Sequence, residues 1–334
     1  MPSHSDSTSW SAVLKRLAQE AWVRDSERRW WPQYAFHYTD IRNAISILKD
    51  GKLLSRYQAE KEGKIAVSSG STEVLAGTDL NVRDSVRLYF RPKTPTQYHA
   101  EGVHSQQSLA QSRFPDAHCP VPVFFLFDLP EILALPDSYF SDRTLASHGG
   151  YQLLKSPQEL QNLPWTEIYH NQWIDWSDSE SAREIVAHRN AEIIVPRELD
   201  LTSLKYIYCR SEAEKETLLS LLPSDLRLRY QNRIIASNRS ELYFRHRTFI
   251  ERALLDSSHI HLQFSPETRA PGPFCLRLEV TAGQTFAQEI PHFSMPPYEY
   301  TISLPHTFSR YQIRVTLDNH LVYDNTFTDT SLPF

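Results

Sequence analysis

Three short segments set reactive or charged side chains where a strand gives way to a turn. The first is Phe36-His37-Tyr38-Thr39-Asp40-Ile41-Arg42-Asn43. A histidine two residues before a threonine, between a strand and a helix, puts polar groups at a cleft mouth. The exposed amides of a helix start also hold phosphates or hydroxyls. The plain alternative is a histidine that only packs beside a strand. The second segment is Val86-Arg87-Leu88-Tyr89-Phe90-Arg91-Pro92-Lys93-Thr94-Pro95. Its aromatic rings can stack on a flat heterocycle such as nicotinamide, and Arg91 and Lys93 can meet phosphates. The alternative is a core strand with a solvated basic turn. The third is His188-Arg189-Asn190-Ala191-Glu192-Ile193-Ile194-Val195-Pro196. Glu192 enters an apolar strand, where an unpaired carboxylate is costly to bury. It must face a polar cleft or pair with a cation, and Arg183 and Arg189 are the partners nearest in sequence. A glutamate facing a cleft can hold a ribose hydroxyl and steady the positive charge that develops as a glycosidic bond breaks.

The elements that must carry these segments follow from periodicity. Trp10, Val13, Leu14, Leu17 and Ala21 form an apolar stripe at helical spacing, so residues 10–24 read as an amphipathic helix. A strand over 34–38 follows. Thr39 is the expected cap of a helix that buries Ile41, Ala44, Ile45 and Leu48 and stops at Gly51. Residues 68–80 are polar and read as a loop. Strands are expected at 86–90, at 122–129 (buried on both faces), at 191–196 and at 206–209. Residues 141–183 mix short helical turns with loops. Ser211 caps a helix over 211–222, with Glu214 closing a capping box. After about residue 238 the texture changes. Segments 259–264, 274–281, 298–304, 311–317 and 321–327 alternate or are aromatic-rich, with turn signals at Pro271-Gly272 and Asp318-Asn319. That spacing predicts a small antiparallel sandwich.

The 334 residues suffice for two cores. The chain is 40% hydrophobic and 22% charged, the composition of a globular protein, and 21 prolines against 9 glycines point to defined turns. A net charge of -5 excludes a uniformly basic nucleic-acid coat, so contact with nucleic acid needs a local patch. Cys119, Cys209 and Cys275 lack metal or CxxC spacing, and no clustered His or Cys ligands predict a metal site. No apolar run approaches membrane-spanning length, and the Ser-rich start has no signal-peptide order. Together these predict a cytoplasmic protein with reduced thiols.

The three segments, in this order, resemble the DarT family of bacterial toxins with the ADP-ribosyltransferase fold. His37, Thr39 and Asn43 fit its opening His-x-Thr-x-x-x-Asn pattern, and ILKDGKLLSR fits the helix and Gly-Leu turn that follow. YFRPKTP, FSDRTLAS, LPWTEIYHNQW and RNAEIIVP fit later blocks, the last of which carries the family's catalytic glutamate. The resemblance covers about residues 34–210. It implies an α+β fold with a split β-sheet, transfer of ADP-ribose from NAD to a base of single-stranded nucleic acid, and an antitoxin bearing a macrodomain. It also implies that Glu192 is catalytic and that His37, Thr39, Asn43, Tyr89 and Arg91 bind NAD. Trp173 and Trp176, in the loop over 173–188, would stack on the target base, with Arg83 and Arg87 beside it. The expected organisation is a helical segment (1–33), a transferase domain (34–237) and a β-sandwich accessory domain (238–334).

The departures from the pattern bear on the target. The family's Ile-Lys-x-Arg-Arg segment corresponds to Ser71-Thr72-Glu73-Val74-Leu75-Ala76-Gly77-Thr78, which has no cation. Arg83 or Arg87 is left to supply the charge, and DNA versus RNA stays open. At the junction, Arg227, Arg229, Arg233, Arg239, Arg245, Arg247 and Arg252 interleave with Tyr230, Tyr243 and Phe244. This is either a single-stranded nucleic-acid track or a hinge with paired arginines. Two other activities fit the same residues: a transferase acting on protein, and a degenerate domain that only binds nucleic acid or a partner.

Overall fold

The computed structural model describes residues 9–146, 151–237, 241–270 and 272–329. The Ser-rich start, Arg239 and Pro271 lie outside them. Nine strands precede residue 238: β1 (Tyr34–Asp40), β2 (Lys52–Leu54), β3 (Ser85–Tyr89), β4 (Pro122–Asp128), β5 (Tyr139–Phe140), β6 (Glu192–Pro196), β7 (Glu198–Asp200), β8 (Leu204–Cys209) and β9 (Ile234–Ala236). Seven of them form one sheet in the order β5-β6-β3-β1-β4-β8-β9, antiparallel except for the β8–β9 pair. Six of the seven β4 residues are buried, as expected of an apolar run covered on both faces. Each such phenylalanine contributes about 1.5–3 kcal/mol by leaving water.

The sheet is nearly divided between β1 and β3. β1 pairs with β4 along all seven of its residues, and β3 pairs with β6 along all five. Between β1 and β3 the register holds only the Phe36–Tyr89 pair. Beyond that pair the two strands part, and His37, Thr39 and Arg87 lie along the gap. The helix Ile41–Asp50 starts at its end and stops at Gly51, whose φ of 68° needs a residue without Cβ strain. The cap of this helix is Asp40, which accepts from the Arg42 N–H, rather than the expected Thr39. Thr39 faces inward instead and meets Asn43. The expected loop at 68–80 contains a short helix, Thr72–Ala76.

The amphipathic helix Trp10–Gln19 buries Val13, Leu14 and Leu17 in the same core as the central sheet. Ser211 caps the helix Glu212–Leu221 as expected, but Glu214 reaches past it to the backbone and guanidinium of Arg210. The charged guanidinium and the Arg210 N–H together hold the carboxylate one residue before the cap.

Seven further strands follow: β10 (Ile250–Leu255), β11 (His259–Phe264), β12 (Phe274–Ala282), β13 (Gln284–Phe293), β14 (Glu299–Ser303), β15 (Arg310–Leu317) and β16 (His320–Thr328). They form sheets β10-β11-β14 and β13-β12-β15-β16, which share one core that includes Ile260, Leu262, Leu278, Ile313 and Val315. This is the expected sandwich, with two strands the sequence pattern hides. β10 carries charge at Glu251 and Arg252 and a bulge after Ile250. β13 is an edge strand with Pro291, whose inner face is only partly covered and carries Gln288 between Phe286 and Ile290, so its sequence shows no clear apolar alternation. Asp318 and Asn319 both have positive φ and form the β15–β16 turn.

Candidate active site

The gap between β1 and β3 opens into a cleft of about 520 Å³, within the size range of small-molecule sites. His37 and Thr39 line it from β1, Asn43 from the following helix, and Arg87 and Tyr89 from β3. The sequence segments thus converge through strand pairing.

His37 Nδ1 lies 3.2 Å from the Arg87 carbonyl, bridging the two strands where their register ends. Burial pushes its pKa down to about 4, against which the bond to the Arg87 carbonyl works, so the ring is neutral at pH 7. A neutral ring with Nδ1–H donated to a carbonyl leaves Nε2 as an acceptor. Asn43 is a clamp. Its Nδ2 donates to the Val67 carbonyl (2.8 Å) and to Thr39 Oγ1 (3.2 Å), and its Oδ1 accepts from the Ala66 and Val67 N–H groups. Asn43 therefore fixes the loop that walls one side of the cleft.

Glu192 is fully buried on β6, opposite Tyr89 of β3. Arg87 holds its carboxylate through two bonds, from Nε and from Nη2 (2.6 Å), and the Leu145 N–H adds a third at 3.0 Å. Arg87, about one-fifth exposed, lines the cleft and stands between it and the carboxylate. Burial, the largest single influence, works to lower the Arg87 pKa, but the Glu192 and Tyr89 charges and the hydrogen bonds to Glu192 together outweigh it and raise it. Tyr89 beside them is pushed up to about 12, by burial first and then by the Glu192 charge.

Several expectations change. The partner of Glu192 is Arg87, which lies close only through the sheet, and neither Arg183 nor Arg189. Arg189 reaches the Gln172 carbonyl instead. Arg91 does not line the cleft. It is 1% exposed, stacks over Trp31 at 4.9 Å and bonds the Pro92, Ile168 and His170 carbonyls and Asn171 Oδ1. A buried guanidinium satisfied by carbonyls holds a loop in place. Arg83 is paired with Glu60 (3.2 Å) and does not line the cleft. Arg87 belongs to the cleft rather than to a surface. Trp173 and Trp176 are 89% and 56% exposed, but their loop ends where the helix Ser179–His188 begins.

Of the junction arginines, Arg245 alone among the described residues pairs with carboxylates, Glu251 and Glu267, as the hinge reading expects, while Arg233 donates to the Leu204 carbonyl and Arg247 to Ser108 Oγ. Tyr243 is buried, with its hydroxyl on the Tyr208 carbonyl. Four cleft-lining cations, Lys52, Arg56, Lys64 and Arg113, were not singled out from the sequence. Arg56 bonds Glu60 and Ser68 Oγ, and Arg113 lies over Phe114 at 5.2 Å. Arg56 directly follows a serine cap at the end of β2, a signal for a helix start whose facing only tertiary structure reveals. Among the described residues no cluster of three or more His, Cys, Asp or Glu side chains suits a metal, and no helix is long and apolar enough to cross a membrane.

A mixed sheet split at a ligand-sized cleft, with a buried glutamate on the strand beside it, defines an ADP-ribosyltransferase-type domain. Residues 36–244 match the family described as DarT, ssDNA thymidine ADP-ribosyltransferase, and the chain belongs to that family. It is accordingly an ADP-ribosyltransferase that uses NAD as donor. Among solved structures it is similar to Thermus sp. 2.9 DarT in complex with ADP-ribosylated ssDNA, at 19% identity over 64% of this chain and 96% of that one, with TM-score 0.49. The same protein in complex with NAD+ matches at 18% identity over 64% and 98%, with TM-score 0.47. Thermosipho africanus DarTG in complex with ADP-ribose matches at 18% over 67% of this chain and 53% of that one, with TM-score 0.45. No curated protein matches the chain.

Proposed function

We propose that this protein transfers ADP-ribose from NAD to a base of single-stranded nucleic acid, with Glu192 as the catalytic carboxylate. The observation that carries the reading is the Arg87–Glu192 pair at the wall of the cleft. NAD enters between β1 and β3, contacting His37 and Thr39 and stacking its nicotinamide by Tyr89, while Asn43 keeps the adjoining loop closed against it. Its phosphates compete with Glu192 for Arg87, a cation the family's usual basic segment does not provide here. Once released, Glu192 holds a ribose hydroxyl and steadies the charge at the anomeric carbon as the bond to nicotinamide breaks. The bonding pair leaves with the nicotinamide nitrogen. A base nitrogen attacks the anomeric carbon, and the proton it sheds goes to Glu192.

The family description favours thymidine in single-stranded DNA. The altered basic segment leaves an RNA base as the competing acceptor, since the acidity of the nucleophile decides what help it needs. Trp173 and Trp176 stack on the presented nucleotide. The region 238–334 is an accessory domain. Modified bases do not template, so the activity suits a toxin of a toxin–antitoxin or phage-defence system. A macrodomain antitoxin that removes the mark is its natural counterpart.

Labelled NAD offered separately to single-stranded DNA, duplex DNA, RNA and protein tests the reading. Label should enter one single-stranded nucleic acid and fall by at least about a hundredfold in Glu192→Gln, the scale of losing one transition-state contact. Label on protein alone, or an active Glu192→Gln, would overturn it.

A further inference from the structure

A second cavity of about 140 Å³ lies at the junction of the transferase and the sandwich, lined by Tyr98, Glu101, Phe244, His246, Arg247 and Arg269. Tyr98 and Glu101 come from within the family match, whereas His246, Arg247 and Arg269 lie beyond its end. One short helix, Pro95–Ala100, stands between the two cavities: His99 lines the cleft and Tyr98 the second cavity.

A line of rings crosses from one to the other. Phe114 and His99, both in the cleft wall, are 5.1 Å apart. His99 meets Tyr98 at 5.5 Å, and Tyr98 meets Phe244 at 5.1 Å and His246 at 6.0 Å. Tyr98 is half exposed. Cations follow the same line. Arg113 lies over Phe114, Lys93 over Phe244 at 5.8 Å, and Arg247 reaches Ser108 Oγ at 2.9 Å. Arg269 is exposed and has no ion-pair partner among the described residues. The seam is closely built. Gly102 has φ of 86°, and a Cβ there would stand 2.4 Å from Arg247 Cβ, so only glycine lets Arg247 lie against the transferase.

The one carboxylate lining the second cavity is turned away from a phosphate. Glu101 accepts from the Phe244 N–H (3.1 Å), the Arg245 N–H (2.9 Å) and Gln97 Nε2 (2.8 Å). Glu267, nearby in the sandwich, is paired with Arg245. What faces outward is the half-exposed Tyr98 ring, flanked by part-buried rings, with the exposed Arg113 and Arg269, which have no ion pair among the described residues. Stacked bases on a polyanionic backbone fit that combination, because every base has a face to stack and every linkage a charge to neutralise.

We propose that this seam is a track for single-stranded nucleic acid flanking the target nucleotide, completed by the sandwich through His246, Arg247 and Arg269. It rests on the functional reading above and adds the surface that selects a long single strand as the acceptor. The sandwich thereby contributes substrate contacts of its own.

The test uses the full chain without NAD, fluorescein-labelled single-stranded DNA or RNA of about four or about twelve nucleotides, and fluorescence anisotropy across a salt series. The unaltered protein should prefer the longer strand, and the tighter of DNA and RNA names the source. Tyr98→Ala with Arg269→Glu, both exposed positions, should lose about tenfold or more of the affinity for the longer strand. Its log–log salt slope should flatten by about 0.7 for each phosphate that the variant no longer neutralises. Binding of the shorter strand and hydrolysis of NAD in the absence of acceptor should not change, and Tyr98→Phe, which keeps the ring, should bind normally. No preference for length in the unaltered protein, or undiminished binding in the double variant, overturns the track. If the unaltered protein labels no nucleic acid from NAD, the functional reading falls. If it labels DNA or RNA while the double variant binds the longer strand undiminished, only the track falls.

Discussion

Replacing Arg87 by methionine keeps the length and packing of the side chain while stripping two bonds and a positive charge from Glu192. The carboxylate is fully buried and would retain only the Leu145 N–H at 3.0 Å. Removing one partner of a buried pair costs about 3–5 kcal/mol, because the remaining charge has lost its compensation. The reverse change is milder. In Glu192→Gln the amide oxygen still accepts from Leu145 and Arg87, and the one-fifth-exposed guanidinium can turn to the water of the cleft. That variant should cost about 1–2 kcal/mol. At roughly 2 °C per kcal/mol for a chain of this size, Arg87→Met should lower the unfolding midpoint by about 6–10 °C and Glu192→Gln by about 2–4 °C. Combining the two should recover most of the loss, since the buried charge is then gone. The assay is thermal unfolding of all four proteins by circular dichroism at neutral pH and again near pH 5. Protonation removes the charge of a buried carboxylate that has lost its cation, and with it the penalty, so the gap to the unaltered protein should narrow in acid. Equal losses in the two single variants, additive losses in the double, or a gap that widens in acid would refute the reasoning.

Two further outcomes follow from the geometry. Asn43→Ala removes the bonds that tie residues 66 and 67 to the helix Ile41–Asp50, so KM for NAD should rise about tenfold with a smaller change in kcat. Steady-state NAD hydrolysis measures both. His104 and His118 are buried and His37 is half-buried at the cleft wall, and loss of water pushes their pKa values down to about 4, 3 and 4, so all three are neutral. Unfolding lets each bind a proton below the ordinary value of about 6.5, so stability should fall as pH drops below that value, by about 2 kcal/mol per ring at pH 5. Urea unfolding from pH 7.5 to 5 should show it, and a flat profile would show that these rings are hydrated in the folded state.

Much of this fold is legible because its strands are apolar and its helices capped. The run VPVFFLFD announces a strand covered on both faces, and Ser211 announces a helix start. The β13 strand is silent for a physical reason: an edge strand whose inner face is only partly covered tolerates Gln288 between Phe286 and Ile290, which blurs the apolar alternation. The cleft residues on β1 and β3 were visible as motifs, and their meeting depends on strand pairing across about fifty residues. The fate of each arginine was not legible. Arg87 and Arg91 sit two residues apart from Tyr89 on either side, yet one faces the cleft and the other is sealed among carbonyls. Sequence gives the charge, and only the surrounding backbone decides whether it meets a carboxylate, a carbonyl or solvent.

The carboxylate of Glu101 grips the chain entering the sandwich by backbone N–H groups. Any residue except proline offers that group, so the grip is indifferent to which side chains stand at 244 and 245. On the proposed track, attachment and recognition would thus be carried by different atoms of the same segment. The rings and cations along the seam can be exchanged over evolutionary time without loosening the joint, which gives the lineage a way to retune which strands it engages while the reaction chamber stays as it is.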